Sequence, residues 1–285
     1  MVKYLKALDD RLVKLQECIP DENWTEYASR LVALRGLFIA QDSFQQKAMK
    51  REDWWTVKEL DGKPVNYTVA MLAEIGELLK SADYEWWAIK ENKDVQNMIT
   101  ELIDALHFDL SKCMQVFEET ALKNNWSESV KTEKAISIII KLADYSYNHI
   151  EDKLDSSFYK QLVNYVAASS NIENAIEYGF EEFQYPSVFA GVISELFLTL
   201  ELLGIEFDEI VARYQVKNAL NFVRKANGYK EGTYIKHWLS IGTGIQEEDN
   251  VIALELVLGK DYSYDEIIQV LDGYYKENIL PLKDN

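Results

Sequence analysis

The chain has 285 residues, 48% of them hydrophobic and 12% aromatic, which is ample for a sizeable core in one large domain or two modest ones. Its 30 Lys and Arg against 48 Asp and Glu give a formal charge of −18 and an isoelectric point near 4.6, which excludes general binding to nucleic acid or to anionic membrane, since both need basic patches to neutralise phosphate. The two cysteines, Cys18 and Cys113, form no CxxC or Cys/His cluster, so neither a disulfide framework nor a structural zinc site is expected, and a reducing, intracellular compartment is the default.

Apolar residues recur with a period near 3.6 almost everywhere, and hairpin signals are nearly absent, so the fold class reads as all-α. Pro20, Pro64, Pro186 and Pro281 fall where the helical patterns break. In chain order the pattern predicts helices at about 3 to 18, 25 to 50, 66 to 82, 94 to 121, 132 to 150, 156 to 168, 186 to 203, 206 to 226, 247 to 258 and 263 to 277. No internal repeat or low-complexity linker interrupts them, so residues 1–285 read as a single domain. The opening "MVKYLKALDDRLVKLQ" has no apolar core or cleavage site of a signal peptide. The most apolar window, "VFAGVISELFLTLELLGIEF", is interrupted by Glu195, Glu201 and Glu206 and reads as a buried amphipathic helix, not a membrane span.

Two predicted helices carry acids in apolar surroundings. "NYTVAMLAEIGELLK" has Val69, Ala70, Met71, Leu72, Ala73, Ile75, Leu78 and Leu79 on nearly every side, the pattern of a buried helix. Glu74 and Glu77 lie on one face of it, three residues apart. In "NMITELIDALHFDL", Met98, Ile99, Leu102, Ile103, Ala105, Leu106 and Phe108 surround Glu101 and Asp104. Carboxylates so placed are costly to desolvate unless a positive charge meets them. The same spacing at Glu206/Glu209, Asp152/Asp155 and Glu91/Asp94 lacks this embedding and reads as solvated surface. Carboxylate ligation without Cys suits a hard cation such as Mg²⁺, which retains waters to share with phosphate.

A phosphate substrate would also account for "VKNALNFVRKANGYKEGTYIKHW", which holds five basic residues (Lys217, Arg224, Lys225, Lys230, Lys236) and one acid, Glu231. Lys217, Asn221 and Arg224 share a helical face, and Asn227-Gly228 is a helix stop with Gly228 expected at positive φ. An Arg fork with Lys point charges suits di- and triphosphates. A solvated helix C-terminus would explain Arg224 and Lys225 through the dipole, but not Lys230 and Lys236. The segment past Gly228 is expected to be mobile without ligand and ordered by phosphate.

"EIGEL" followed by "ELIDALHF" resembles the ExxE…ExxD signature of the all-α NTP pyrophosphatase superfamily. "KNALNFVRKANGYKEGTYIKHW", with "EDN" at Glu248, Asp249 and Asn250, closely resembles the C-terminal motif of the dimeric dUTPases. The resemblance extends over residues 41 to 250, and is poor for the middle segment, about 120–210, and for the first 25 or so residues. It implies a multi-helix bundle whose four-helix core carries a carboxylate metal site, and hydrolysis of dUTP, and dUDP, to dUMP, with pyrophosphate released from dUTP by Mg-activated water. Glu74, Glu77, Glu101 and Asp104 would be the catalytic and Mg²⁺-binding carboxylates, with attack at the β-phosphorus and Glu77 nearest the nucleophilic water.

By matching position, Lys217, Arg224, Tyr229, Lys236 and Asn250 would contact the phosphates or close the site, and Asn221 would hold the nucleoside. His107 matches a histidine near the base, or packs in the core. Gln41 and Gln45 of "AQDSFQ" stand where the family has Gln and Asn to read the base. In "SADYEWWAIK", Ser81 and Trp87 fit the family's aromatic element, while Tyr84, Glu85 and Ala88 replace its first Trp and two lysines. The expected partner is a deoxyuridine nucleotide, with neither nucleic acid nor membrane, in the cytoplasm or nucleus. A homodimer is implied, and Leu196, Phe197, Leu200 and Leu203 would serve it or the monomer core. The alternatives are a pyrophosphatase for dCTP or other NTPs, and an inactive helical interaction protein.

Overall fold

The computed structural model describes residues 1–17, 21–84, 93–148, 157–177 and 185–284. The all-α expectation holds. A 3-10 helix, Val2–Ala7, leads into α1 (Leu8–Gln16), and α2 (Asp21–Met49), α3 (Tyr67–Ser81), α4 (Val95–Lys123) and α5 (Glu128–Asn148) follow. Then come α6 (Phe158–Glu177), α7 (Tyr185–Glu201), α8 (Phe207–Ala226), α9 (Asp249–Val257) and α10 (Tyr264–Tyr274). α10 continues through a π-helical turn, Tyr275–Ile279, into a 3-10 turn, Leu280–Asp284, so Pro281 lies inside helical structure and does not break it. Trp87, Glu85, Ala88, Glu91, Asp152, Asp155, Cys18 and Pro20 lie outside the described residues.

Two antiparallel hairpins are the elements that periodicity missed: β1 (Glu59–Leu60) with β2 (Lys63–Pro64), and β3 (His237–Leu239) with β4 (Gln246–Glu248). Their strands are two or three residues long, too short to display alternation. The first does carry a legible turn. Asp61 and Gly62 have φ of 53° and 75°, the paired positive values of a two-residue type I′ loop.

The chain forms two compact units, Met1–Ile210 and Val211–Asn285, with the boundary inside the first turn of α8. In the first unit α3 packs along α4, α5 packs on α7, and α6 packs on α7. The face expected to serve either a dimer or the core is settled in part: Leu196, Phe197 and Leu200 are buried in the monomer core, and Leu203 is half-buried. In the second unit Val216, Leu220 and Val223 of α8 pack with Trp238, with Ile252 and Leu256 of α9, and with Leu271 and Tyr275. Among the described residues, no helix is long and apolar enough to cross a membrane. The apolar window at 188–207 is broken where α7 ends and Gly204 takes a φ of 87°.

The helices that carry the acid pairs start at caps written in the sequence. Asn66 Oδ1 accepts from the amide of Val69 at 3.0 Å, and Asp94 Oδ1 accepts from the amide of Asn97 at 3.0 Å, each satisfying an orphan donor of a first turn. Asp94, expected to be plain solvated surface, therefore has a structural task. At their joined ends, Asp94 N donates to Ser81 O at 2.9 Å and Asn97 Nδ2 donates to Ser81 Oγ at 2.7 Å. At the other end Lys112 Nζ donates to Thr68 Oγ1. The pair is therefore antiparallel and clamped at two points about 20 Å apart, given ~1.5 Å per helical residue.

One expectation about α3 fails. It is not buried all round: Met71, Ile75 and Leu78 face inward, but Val69 is 62% and Leu72 42% exposed, and Ala73, Gly76 and Glu77 are exposed too. Composition made every side of the helix apolar, but α4 covers only one stripe of it.

Candidate active site

Between the two clamps, α3 and α4 bring their acids together. Oxygens of Glu74, Glu77 and Glu101 all lie within 4.8 Å of one another. Asp104, one turn beyond Glu101, acts electrostatically on Glu74. Glu101 is 7% exposed, Glu74 and Asp104 are half-buried and Glu77 is exposed, so the expected burial of all four is corrected for Glu77. Burial, then the negative charges of Asp104 and Glu101, a hydrogen bond with Glu101, and the charge of Glu77 push the Glu74 carboxyl up to about 8. Such a shift marks a group held among like charges with too little water. A cation would relieve both causes, and an all-oxygen donor set of this size fits a hard one. The residues present therefore fit the Mg²⁺ that the sequence resemblance implies.

Further along α4, Gln41 Nε2 and Gln45 Nε2 of α2 donate to Ser111 Oγ at 2.8 and 2.9 Å, and Ser111 donates to His107 O at 2.8 Å. Gln41, Gln45 and His107 are all buried. The Gln45 carbonyl oxygen has no hydrogen-bond partner among the described residues. His107 Nδ1 lies 2.8 Å from Ile103 O, a carbonyl oxygen that can only accept, so Nδ1 carries a proton. The structure thus gathers the three residues assigned to base reading, with Ser111 as their hub. The sequence singled out no role for Ser111, although it stands one helical turn after His107.

A buried ionic group on the same helix also escaped the sequence reading. Asp109 accepts from Tyr165 Oη at 2.5 Å and Ser169 Oγ at 2.7 Å, both on α6. Burial pushes its carboxyl up to about 6, against the pull of those two hydroxyls and of Lys112. Cys113 is buried and burial raises its thiol well above the usual value, which makes it inert.

In the second unit, Gly228 has a φ of 86°, as the helix-stop reading expects, and a Cβ there would collide with Thr233 Oγ1. The basic segment beyond it has anchors that the sequence did not reveal. Tyr234 stacks on Tyr275 with centroids 4.8 Å apart, Tyr275 Oη accepts from Ile235 N at 3.1 Å, and Trp238 Nε1 donates to Ile235 O at 3.1 Å. Only Tyr229 to Thr233 stand exposed as a run before these anchors. Lys217, expected on the ligand-facing side of α8, is 8% exposed, whereas Lys236 is exposed and paired with Glu248 at 3.4 Å. Tyr229 is exposed, with the Arg224 guanidinium 5.5 Å from its ring centroid.

Arg224 has a partner that the sequence reading did not foresee. Its fork is turned onto Asp249, with Nε to Oδ2 at 2.8 Å and Nη2 to Oδ1 at 2.6 Å. The bidentate face that sequence reasoning assigned to phosphate is engaged inside the protein. Asp249, fully buried, is the residue missed here. Its only signal was its place in "EDN".

An all-helical protein with an acidic cluster on a clamped helix pair is the class that fold and geometry define. The family is more specific: the dUTPase family model matches residues 33–229, and the chain belongs to that family. Membership makes it an enzyme of dUTP hydrolysis. No curated protein matches the chain. The matched span holds Gln41, Gln45, the four carboxylates, His107, Lys217, Asn221, Arg224 and Tyr229, and it runs through the middle segment whose resemblance looked poor. Lys236 and Asn250 lie beyond it.

Proposed function

We propose that this dUTPase works with Mg²⁺ held by Glu74, Glu77, Glu101 and Asp104, converting dUTP to dUMP and pyrophosphate, and dUDP to dUMP and phosphate. The observation that supports it is the acidic cluster: three carboxylates whose oxygens lie within 4.8 Å, with Glu74 pushed up to about 8 by burial and by its neighbours' charge. When bound, Mg²⁺ supplies charge neutralisation at the phosphates and an activated water. Glu77, the exposed member, is the carboxylate that orients this water. Gln41, Gln45 and His107 read the base, and Asn221 holds the nucleoside. Lys217, Tyr229, Lys236 and Asn250 serve the phosphates, and Arg224 does so from within its ion pair. A homodimer fits the exposed apolar stripe of Val69, Leu72 and Ala73 on α3, and the substrate places the protein with intracellular nucleotides.

The test is product release by the purified protein with Mg²⁺, measured for dUTP, dUDP, dCTP, dTTP and dATP. Turnover of dUTP and dUDP that stops with EDTA and returns with Mg²⁺ is expected. Turnover of dCTP without dUTP would overturn the base assignment, and EDTA-resistant turnover would overturn the metal.

A further inference from the structure

The Arg224 guanidinium sits at the centre of a set of bonds within the second unit. Besides the fork onto Asp249, its Nη2 donates to Asn250 Oδ1 at 2.6 Å and its Nη1 donates to Asn221 Oδ1 at 3.3 Å. Asp249 is fixed in turn: Oδ2 accepts from Tyr234 Oη at 2.8 Å, and its main-chain amide donates to Lys236 O at 2.9 Å. Burial, then the charge of Asp249, raises the Tyr234 phenol far above its ordinary value, so it stays a donor.

A guanidinium can only donate, so the amide atom facing it must be a carbonyl oxygen. That fixes which way both asparagines are turned. Asn221 is half-buried, and its Nδ2 makes no hydrogen bond among the described residues. Asn250 Nδ2 reaches the exposed Glu248 Oε2 at 3.3 Å.

We propose that Asp249 is a positioning residue for the dUTPase reaction: by locking Arg224 it holds the Asn221 amide with its nitrogen outward, making that position a donor-only reader of an acceptor oxygen on the nucleotide. The inference rests on the reading above that Asn221 meets the substrate. A freely rotating amide offers a donor or an acceptor and so discriminates poorly. A locked one rejects any ligand that presents another donor, because a donor left facing a donor loses its hydrogen bond. In dUTP the acceptor is a phosphate oxygen, a sugar oxygen or a uracil carbonyl. Cytosine keeps the carbonyl at position two but carries an amino group in place of the one at position four, so where the position-four carbonyl is read the lock also excludes dCTP.

Two variants test this. Asn221→Asp keeps an oxygen toward Arg224 and adds a charge there, so the fold is retained, while the outward N–H donors become an acceptor. KM for dUTP should rise about tenfold or more, with kcat changed much less. If the position-four carbonyl is read, KM for dCTP is not raised and the preference for dUTP collapses. If a phosphate oxygen is read, KM rises in parallel for dUTP and dCTP and inhibition by inorganic pyrophosphate weakens with it; a sugar oxygen or the position-two carbonyl gives the parallel rise with that inhibition unchanged.

Asp249→Asn leaves Asn221 untouched but unlocks Arg224. It should raise KM in the same pattern to a smaller extent, and Asp249→Glu should restore part of it. Circular dichroism and a thermal midpoint confirm that each variant folds. The positioning role is overturned if Asn221→Asp keeps KM and dUTP preference within about twofold of the parent, or if a folded Asp249→Asn does. A parent protein inactive on dUTP would instead refute the substrate reading itself.

Discussion

Asp109 gives the sharpest quantitative test of the first unit. Its carboxyl is fully buried against Tyr165 and Ser169 and is pushed from the usual 3.8 up to about 6. An aspartate with a raised value binds its proton more tightly folded than unfolded, so its contribution to stability is greatest below pH 4 and is lost as pH rises toward 6. The gap is roughly two pH units, and at about 1.4 kcal/mol per unit the full loss is ~3 kcal/mol. Roughly half of it, about 1 to 2 kcal/mol, develops between pH 5 and pH 8, a range that stays above the isoelectric point near 4.6. Asp109→Asn has nearly the same shape and no titration. Urea unfolding of both proteins across pH 5 to 8 cancels the groups they share. The stability of the variant relative to the parent should therefore rise by about 1 to 2 kcal/mol as the pH rises. A flat difference, or one favouring the parent at high pH, would refute the account of a carboxylate kept charged at a cost between α4 and α6.

Glu74→Gln should reduce turnover by a factor of roughly a hundred or more and leave the helical circular dichroism intact. Without added metal its thermal midpoint should equal or exceed that of the parent, because a carboxyl disfavoured by burial and by the charges of Asp104, Glu101 and Glu77 is removed; near-parental turnover would contradict the assignment. Mg²⁺ should raise the melting temperature of the parent, by the equivalent of about 2.7 kcal/mol at a hundredfold excess over Kd, and should do so far less in Glu101→Gln. Absence of any shift in the parent counts against the site. Asn66→Ala removes the cap of α3 and should cost about 1 kcal/mol in urea unfolding; an unchanged midpoint would show that the clamps to α4 alone fix the helix start.

The local code of the chain was enough for the helices and for the acids. Periodicity located α2, α3, α4 and α8 close to their observed bounds, because amphipathic spacing and caps such as Asn66 and Asp94 act within a few residues. The apolar setting of Glu74 and Glu101 likewise singled out the carboxylates that the fold gathers, and the positive φ of Gly228 followed from its place after a helix end. Three things depended on the folded chain. Which side of α3 is covered was set by the reach of α4, and an all-apolar composition holds no trace of it. The π-helical turn after Tyr274 was equally hidden, since it carries the helix toward Pro281 without a change of period that can be read. The partners of Arg224 and Asp109 lie 25 and about 60 residues away in sequence. A basic residue beside a phosphate and one forked onto a buried aspartate look alike in one dimension, because the difference is the position of the counter-charge, and only tertiary packing puts Asp249 there.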